Sequence, residues 1–141
     1  MKYLLDTNIC IYLIKQKPVE ILNRFKRFSL GQVGISSITL SELMFGIEKS
    51  QHREKNEIAL TKFISSLVIL PFDEKEAFCY GQIRASLEKA GTPIGSMDLL
   101  IAAHAKSLNI VLVTNNTKEF LRVKGLRLEN WVHDDPKIAH H

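Results

Sequence analysis

Short apolar runs alternate along the chain with longer segments whose apolar residues recur at helical spacing. The apolar runs predict four strands, at Lys2–Leu5, Val33–Ser36, Leu67–Leu70 and Ile110–Val113. The longer segments predict six helices, at Thr7–Gln16, Glu20–Phe28, Ile38–Lys49, Glu54–Ser65, Asp73–Ala90 and Ser96–Leu108. Strands separated by such helices are joined by crossover connections, so the pattern predicts an α/β fold with a parallel sheet covered on both faces.

The 141 residues have the size of one domain, and a composition of 45% hydrophobic and 24% charged residues is typical of a folded globular protein. We expect this domain to span residues 1–131. A C-terminal tail follows at residues 132–141 and ends in two histidines of the kind that an added affinity tag leaves. The net charge of +4 permits an anionic partner such as nucleic acid but does not require one.

The two cysteines, Cys10 and Cys79, lie in apolar helical segments and form no Cys-x-x-Cys pair. This setting predicts buried free thiols in a reducing compartment. Asp6 and Asn8 interrupt the first apolar run, so it does not match a secretory signal, and the apolar stretch Ile9–Ile14 is too short to cross a membrane. The sequence therefore predicts a cytoplasmic protein without a membrane partner.

An acid, Asp6, comes directly after the first predicted strand in the stretch "LLDTN". A carboxylate at this position can cap the following helix by accepting hydrogen bonds from its first backbone N–H groups. The same position is the carboxyl end of a parallel strand, where open α/β sheets bind ligands. The stretch alone leaves both explanations open.

A second acid, Asp98, lies in the stretch "PIGSMDLLIAAHA", in the first turn of a helix that we expect Ser96 to cap. Asp98 shares a face with Ile101 and Ala102, and a helix this apolar packs against a sheet. An acid in a first turn also complements the helix dipole. A carboxylate on an inward face, however, needs a partner, commonly a cation or a metal ion.

A third acid, Glu42, follows Thr39 by three residues in "SSITLSELMFGIEKS", a spacing that matches a capping box. Glu42 also shares a helical face with Ile38, Phe45 and Gly46, which is more typical of the interior. For Glu42 alone, both interpretations stay open.

Polar residues follow the last predicted strand in the stretch "IVLVTNNTKEF". Thr114–Asn116 are typical of a turn, and Glu119 is typical of a solvated surface. In a parallel sheet, however, Thr114–Asn116 would lie at the same edge as Asp6.

The three acids are predicted to converge, because the carboxyl ends of parallel strands and the amino ends of the helices that follow meet at one sheet edge. Each close pair of carboxylates would repel by about 4 kcal/mol at an effective dielectric constant of about 20. A hard divalent cation such as Mg²⁺ or Mn²⁺, which prefers oxygen ligands, would relieve that repulsion.

The chain resembles PIN-domain ribonucleases, in particular the VapC toxins of bacterial toxin–antitoxin pairs. The matching stretches are "LLDTN", "SSITLSELMFGI" and "PIGSMDLLIAAHAKSLNIVLVTNNTKEFLRVKGLRLENW", which fall between Met1 and Trp131 in the family's order. The resemblance implies a three-layer α/β/α fold with a mainly parallel central sheet. It also implies the activity of the toxic component of a type II system, a Mg²⁺-dependent endoribonuclease in which Mn²⁺ can substitute.

The same resemblance implies roles for individual residues. The catalytic residues would be the four acids Asp6, Glu42, Asp98 and Glu119. Asp6 and Asp98 would bind the metal, while Glu42 and Glu119 would orient the attacking water. The supporting residues would be Thr7, Asn8, Thr114 and Asn116. Because many family members carry an acid at the position of Asn116, either Asn116 or Glu119 completes the acidic site.

The implied partners are an RNA substrate, with transfer RNA and initiator tRNA favoured, a VapB-type antitoxin and a second copy of the chain. Six basic residues are available to RNA: Arg24, Lys26, Arg27, Arg122, Lys124 and Arg127. We expect the antitoxin to lay a C-terminal segment with an Arg or Lys across the acidic edge. It would dock in an apolar groove formed by early-helix residues, namely Ile11, Leu13, Ile14 and Ile21.

Two other classes of protein share parts of this pattern. A haloacid-dehalogenase-like phosphatase needs a second acid two residues after the first, where this chain has Asn8, and its later acidic pair is matched only by Asp134 and Asp135 in the tail. A non-catalytic PIN scaffold that binds nucleic acid or protein is disfavoured because Asp6, Glu42 and Asp98 are all present.

Overall fold

The structure is a computed structural model that describes residues 1–29 and 31–132, together with the backbone of residues 135–139. The described residues form the strands β1 Tyr3–Leu5, β2 Val33–Ser36, β3 Val68–Leu70, β4 Val111–Val113, β5 Leu128–Asn130 and β6 Asp135–Ala139. They form the helices α1 Thr7–Lys15, α2 Val19–Phe25, α3 Ser37–Glu48, α4 Arg53–Ile64, α5 Glu74–Lys89, α6 Ser96–Leu108 and α7 Thr117–Phe120.

One sheet contains these strands in the order β3-β2-β1-β4-β5-β6. The first five strands pair in parallel, and β6 runs antiparallel to β5. Leu4 of β1 lies opposite Gly34 of β2 on one side and Leu112 of β4 on the other. Because the strand order reverses direction at β1, the crevice beyond its carboxyl end is a topological switch point, where open α/β sheets bind ligands.

Helices cover both faces of the sheet because neighbouring residues of a strand point to opposite sides. Leu4 belongs to an apolar core that includes Ile83 of α5 and Ile101 of α6. Leu5 belongs to a second core, which includes Ile9 of α1 and further residues of α2, α3 and α4. The predicted α/β/α fold with a mainly parallel central sheet is therefore confirmed.

Every predicted strand and helix forms, and the largest error in a boundary is three residues, at the end of α2, predicted at Phe28 and found at Phe25. The pattern did not predict α7, β5 or β6. The residues of β5 include Glu129, which is buried because it pairs with Arg24 at 3.2 Å and accepts a hydrogen bond from Trp131 at 3.0 Å.

Part of the predicted C-terminal tail belongs to the sheet, since residues 135–139 form β6. The histidines His140 and His141, and Asp134 of the phosphatase comparison, lie outside the described residues. Cys10 is buried, Cys79 is partly buried, and both are free thiols. Within the described part of the chain, no helix combines the length and apolar character needed to span a bilayer.

A buried polar contact fixes the helices that carry two of the acids. Ser36 is the N-cap of α3, where its hydroxyl accepts the N–H of Ile38 at 3.0 Å and lies 2.8 Å from Nδ1 of His104 in α6. Burial lowers the pKa of His104, so the ring stays neutral near pH 7. His104 is a buried core residue.

We expect Ser36→Ala to lower the free energy of unfolding by about 2 kcal/mol, because it removes a helix cap and leaves a buried ring nitrogen without its partner. Urea denaturation measures this loss. The matched control is Ser41→Ala, whose exposed hydroxyl donates only to the carbonyl of Ser37 within α3 and should cost less than about 0.5 kcal/mol. Equal stability of the two variants would show that the Ser36–His104 contact contributes nothing.

Candidate active site

Asp6 is both a helix cap and a residue of the sheet edge. It is the N-cap of α1, where Oδ1 accepts the N–H of Ile9 at 2.9 Å. Its carboxylate is buried, and its pKa is raised to about 6, mainly by this burial. Hydrogen bonds from Thr114 and Ile9 lower the pKa, and repulsion from Glu42 raises it further. The capping interpretation of Asp6 is therefore correct, and it does not exclude the ligand-binding interpretation.

Glu42 lies inside a helix, and the structure decides between its two interpretations. It is the sixth residue of α3, whose N-cap is Ser36, so the capping box that its spacing from Thr39 would allow does not form. Thr39 is instead buried, and no partner for its hydroxyl is found among the described residues. The hydroxyl of Thr7, the first residue of α1, donates to Oε1 of Glu42 at 2.6 Å.

Asp98 is the third residue of α6. The N-cap is Gly95 and not Ser96 as predicted, and it provides no side-chain cap. Burial raises the pKa of Asp98 to about 7, together with a hydrogen bond and repulsion from Glu119 and weaker repulsion from Asp6 and Glu42. These interactions show that Asp98 shares the electrostatic environment of the other acids.

Asn116 and Glu119 lie beside Asp98 and are connected to it. Nδ2 of Asn116 donates to Oδ2 of Asp98 at 3.3 Å and to Oε2 of Glu119 at 2.9 Å. Oε1 of Glu119 accepts the N–H of Gly95 at 2.9 Å. This backbone bond and the one from Asn116 hold the pKa of Glu119 below its usual value. The hydroxyl of Thr114 accepts the N–H of Asn116 at 2.9 Å, which fixes the turn after β4.

A cavity of about 190 Å³ is lined by residues from four separate segments, namely Asp6, Thr7, Asn8, Glu42, Asp98, Ile101 and Asn116. The cavity has space for several waters. No cluster of three or more His, Cys, Asp or Glu side chains close enough to hold a metal is found among the described residues. The carboxylates therefore surround a space instead of meeting at one point, an arrangement that suits a cation that keeps part of its water shell.

Most site residues predicted from the sequence lie on or next to this cavity. Thr114 is buried and hydrogen-bonds to Asp6, and Glu119 accepts from Asn116 but is not one of the lining residues. The sequence did not predict the bond from Gly95 to Glu119, which joins residues that are 24 positions apart. Arg24 forms the buried ion pair with Glu129. We therefore no longer include Arg24 among the basic residues proposed to contact RNA.

An apolar groove of about 260 Å³ adjoins the cavity, and Glu42 lines both. The other residues that line the groove are Ile11, Ile14, Lys15, Leu43, Gly46, Ile47, Asn56 and Leu60. Ile11 and Ile14 match the predicted groove. Leu13 and Ile21 do not, because both are buried in the core.

Residues 3–126 match the family described as "PIN domain". With the α/β/α fold, this match shows that the chain belongs to the PIN-domain family. PIN-domain ribonucleases generally depend on a divalent metal.

Within that family, the chain is 50% identical over 132 residues to Ribonuclease VapC2 of Haemophilus influenzae, covering 94% of this chain and 99% of the relative. It is 48% identical over 131 residues to the tRNA(fMet)-specific endonuclease VapC of Shigella flexneri, covering 93% and 98%. The crystal structure of VapBC2 from Rickettsia felis, bound to a promoter DNA fragment, matches with a TM-score of 0.88 at 46% identity, covering 93% and 99%. The resemblance to VapC toxins is therefore confirmed.

The raised pKa values predict that the metal-free protein loses stability as the pH rises. In the folded chain Asp6 and Asp98 ionise near pH 6 and pH 7, above their ordinary value of 3.8. The folded state therefore holds more protons than the unfolded state in this interval, and the stability present below about pH 4 falls as the pH passes through both folded values. Thermal unfolding in chelator at pH 5 and pH 8 measures the difference.

Asp98→Asn should remove part of this pH dependence and stabilise the metal-free protein at pH 8 by about 1 kcal/mol, because one repelling charge is lost. Glu54→Gln, at an exposed position of α4, is the control and should change little. If Asp98→Asn is less stable than wild type at pH 8, Asp98 acts mainly on the helix dipole and not as a member of a crowded acidic site.

Proposed function

We propose that the chain is the toxic ribonuclease of a type II toxin–antitoxin pair, a metal-dependent endoribonuclease that hydrolyses RNA phosphodiester bonds in the cytoplasm. The observation that carries the proposal is the placement of Asp6, Glu42 and Asp98 around one cavity at the switch point of the sheet. Relatives that are 48–50% identical bear the names ribonuclease and tRNA(fMet)-specific endonuclease.

The donor set fits a hard divalent cation. The polar groups of the cavity are carboxylate, amide and hydroxyl groups, without a thiol or an imidazole in the lining, and such oxygen donors are preferred by Mg²⁺ and Mn²⁺. Asp6 and Asp98 would hold the ion, with Mg²⁺ as the physiological metal and Mn²⁺ able to replace it. The bound ion would supply a water of lowered pKa and neutralise charge on the phosphate.

The side chains around this position have separable tasks. Glu42, held by Thr7, orients the attacking water from the α3 side of the cavity. Thr114 keeps the buried carboxylate of Asp6 in place, and Asn116 does the same for Asp98. Asn8 lies exposed at the rim, where its amide can contact the substrate.

The favoured substrate is transfer RNA, and initiator tRNA in particular. The support is the name of the Shigella flexneri relative and the basic charge of the chain, with Lys26, Arg27 and Lys124 exposed. The alternative is a non-catalytic PIN scaffold. The placement of Asp6 with Glu42 and Asp98 around one cavity disfavours that alternative, because capping of α1 requires only Asp6 and leaves the other two acids unexplained.

Cleavage of purified tRNA in the presence of Mg²⁺ tests the proposal. We expect Asp6→Asn and Asp98→Asn to lower the rate by about a hundredfold or more, since each removes a charge that holds the metal. Chelator should abolish cleavage by wild type, while Glu54→Gln should cleave normally. Sequencing of RNA ends after a brief pulse of expression identifies the target in cells. Undiminished cleavage in chelator, or by Asp98→Asn, would contradict the proposed site.

We also propose that a VapB-type antitoxin silences the enzyme by occupying the apolar groove and extending an Arg or Lys towards the acids, and that the toxin acts as a homodimer. Solved relatives from Rickettsia felis and Salmonella typhimurium are VapBC complexes. Most of the residues that line the groove are apolar, and Glu42 lines both the groove and the acidic cavity, so a segment that combines apolar residues with a cation placed at Glu42 is complementary to it.

Gly46→Leu should weaken antitoxin binding by tenfold or more (about 1.4 kcal/mol or more), because its side chain would project into the groove, where a Cβ meets no atom within 4 Å. Gly81→Leu, at an equally open position on α5, is the matched control. Titration calorimetry with the antitoxin measures both. A second arm replaces the basic residues of the antitoxin by Ala, and full inhibition by that variant would leave steric blockage as the whole mechanism.

A further inference from the structure

We propose that Glu119 is a positioning residue that caps helix α6 from outside, so that Asp98 can face the cavity, and that Glu119 is not itself a ligand of the metal. The inference rests on the proposed function, because it assigns the fourth acid of the same site. Of the two candidates for the fourth position of the site, Asn116 completes the cavity wall and Glu119 does not.

The start of α5 shows what a helix of this chain does when it caps itself. Asp73 is the N-cap, and its N–H is bound at 2.9 Å by the side chain of Glu76, the third residue counted from the cap. In this capping box a carboxylate oxygen of the third residue accepts the N–H of the N-cap residue. Glu76 is buried, with Oε1 bound at its own helix end and Oε2 accepting from the hydroxyl of Ser107 in α6 at 2.9 Å.

At the start of α6, the third residue after the cap is Asp98. The N-cap Gly95 has no side chain to offer, and its N–H is bound by Glu119 of α7 at 2.9 Å. Glu119 therefore performs the task that the third residue performs in α5. Asp98 is left to line the cavity.

Both oxygens of Glu119 are engaged by protein groups. Oε1 accepts from Gly95, and Oε2 accepts from Asn116, which also donates to Asp98. A second tether comes from the same segment, since Arg122 donates to the carbonyl of Pro93 at 2.7 Å. The segment around α7 thus holds the loop before α6 at two points and sets the position of Asp98.

Mn²⁺ binding by the purified, RNA-free protein tests the proposal, with titration calorimetry as the readout. Glu119→Gln keeps an oxygen for the N–H of Gly95, and its amide can take over the donation to Asp98 when Asn116 rotates to accept from it. We expect its affinity to stay within about threefold of wild type, whereas Glu119→Ala loses about tenfold or more because Asp98 is no longer held. If Glu119 were a metal ligand, Glu119→Gln would lose nearly as much Mn²⁺ affinity as Glu119→Ala, because both substitutions remove the charge that binds the ion.

A second pair of variants leaves Glu119 unchanged. Gly95→Pro removes the N–H that Glu119 accepts, and the φ of −58° at this position suits proline. Gly95→Ala keeps the N–H, and its Cβ would lie at an ordinary 3.8 Å from Asp98 and 3.9 Å from Glu119. We expect the proline variant to lose about as much Mn²⁺ affinity as Glu119→Ala, and the alanine variant to bind like wild type. Thermal unfolding checks that each variant is folded.

The proposal is overturned if Glu119→Gln loses as much Mn²⁺ affinity as Glu119→Ala, which would make Glu119 a direct ligand. This outcome is distinguishable from failure of the proposed function. If wild type binds Mn²⁺ and Asp98→Asn does not, the proposed metal site is supported whatever the role of Glu119. If wild type binds no Mn²⁺, the proposed metal site itself is wrong.

Discussion

Negative charge collected at one edge of a parallel sheet is the constraint on which the rest of this structure depends. Asp6, Glu42 and Asp98 come from segments far apart in the chain, and their repulsion contributes to the raised pKa of Asp98. Acids that line one cavity repel one another, and neighbouring groups hold each of them in place. Each acid has a donor from another segment: Thr114 for Asp6, Thr7 for Glu42 and Asn116 for Asp98. The cavity is therefore preformed, and its charge can be satisfied by a cation.

Helix capping and the acidic site are connected, because all three acids lie on helices that begin at the same sheet edge. Asp6 caps its own helix and still contributes to the cavity wall. Ser36 caps α3, so Glu42, more than one turn further on, is not needed as a cap and lines the cavity. Helix α6 begins at a glycine without a side-chain cap, and the N–H of that glycine is bound from α7. Which residue caps a helix thus decides which acid is available to the site.

The sequence predicted the fold well wherever the signal was local. Apolar runs and helical spacing located the first four strands and the six longer helices, and the edge rule for parallel sheets brought the three acids together. It failed where structure depends on distant partners. Strand β5 contains Glu129, whose burial requires Arg24, a residue 105 positions away. Ser96 was predicted as a cap because the bond from Gly95 to Glu119 cannot be recognised in a local pattern.

The sequence offered both roles of Asp6 as alternatives, and only the structure shows that they coexist, with one carboxylate oxygen capping α1 while the residue lines the cavity. The most direct test of the account is a crystal structure of the protein soaked in Mn²⁺, with the ion located by anomalous scattering. The account predicts a peak inside the cavity, within bonding distance of Asp6 and Asp98 directly or through one water, and its loss in Asp98→Asn. A peak elsewhere on the chain, or an unchanged peak in Asp98→Asn, would contradict it.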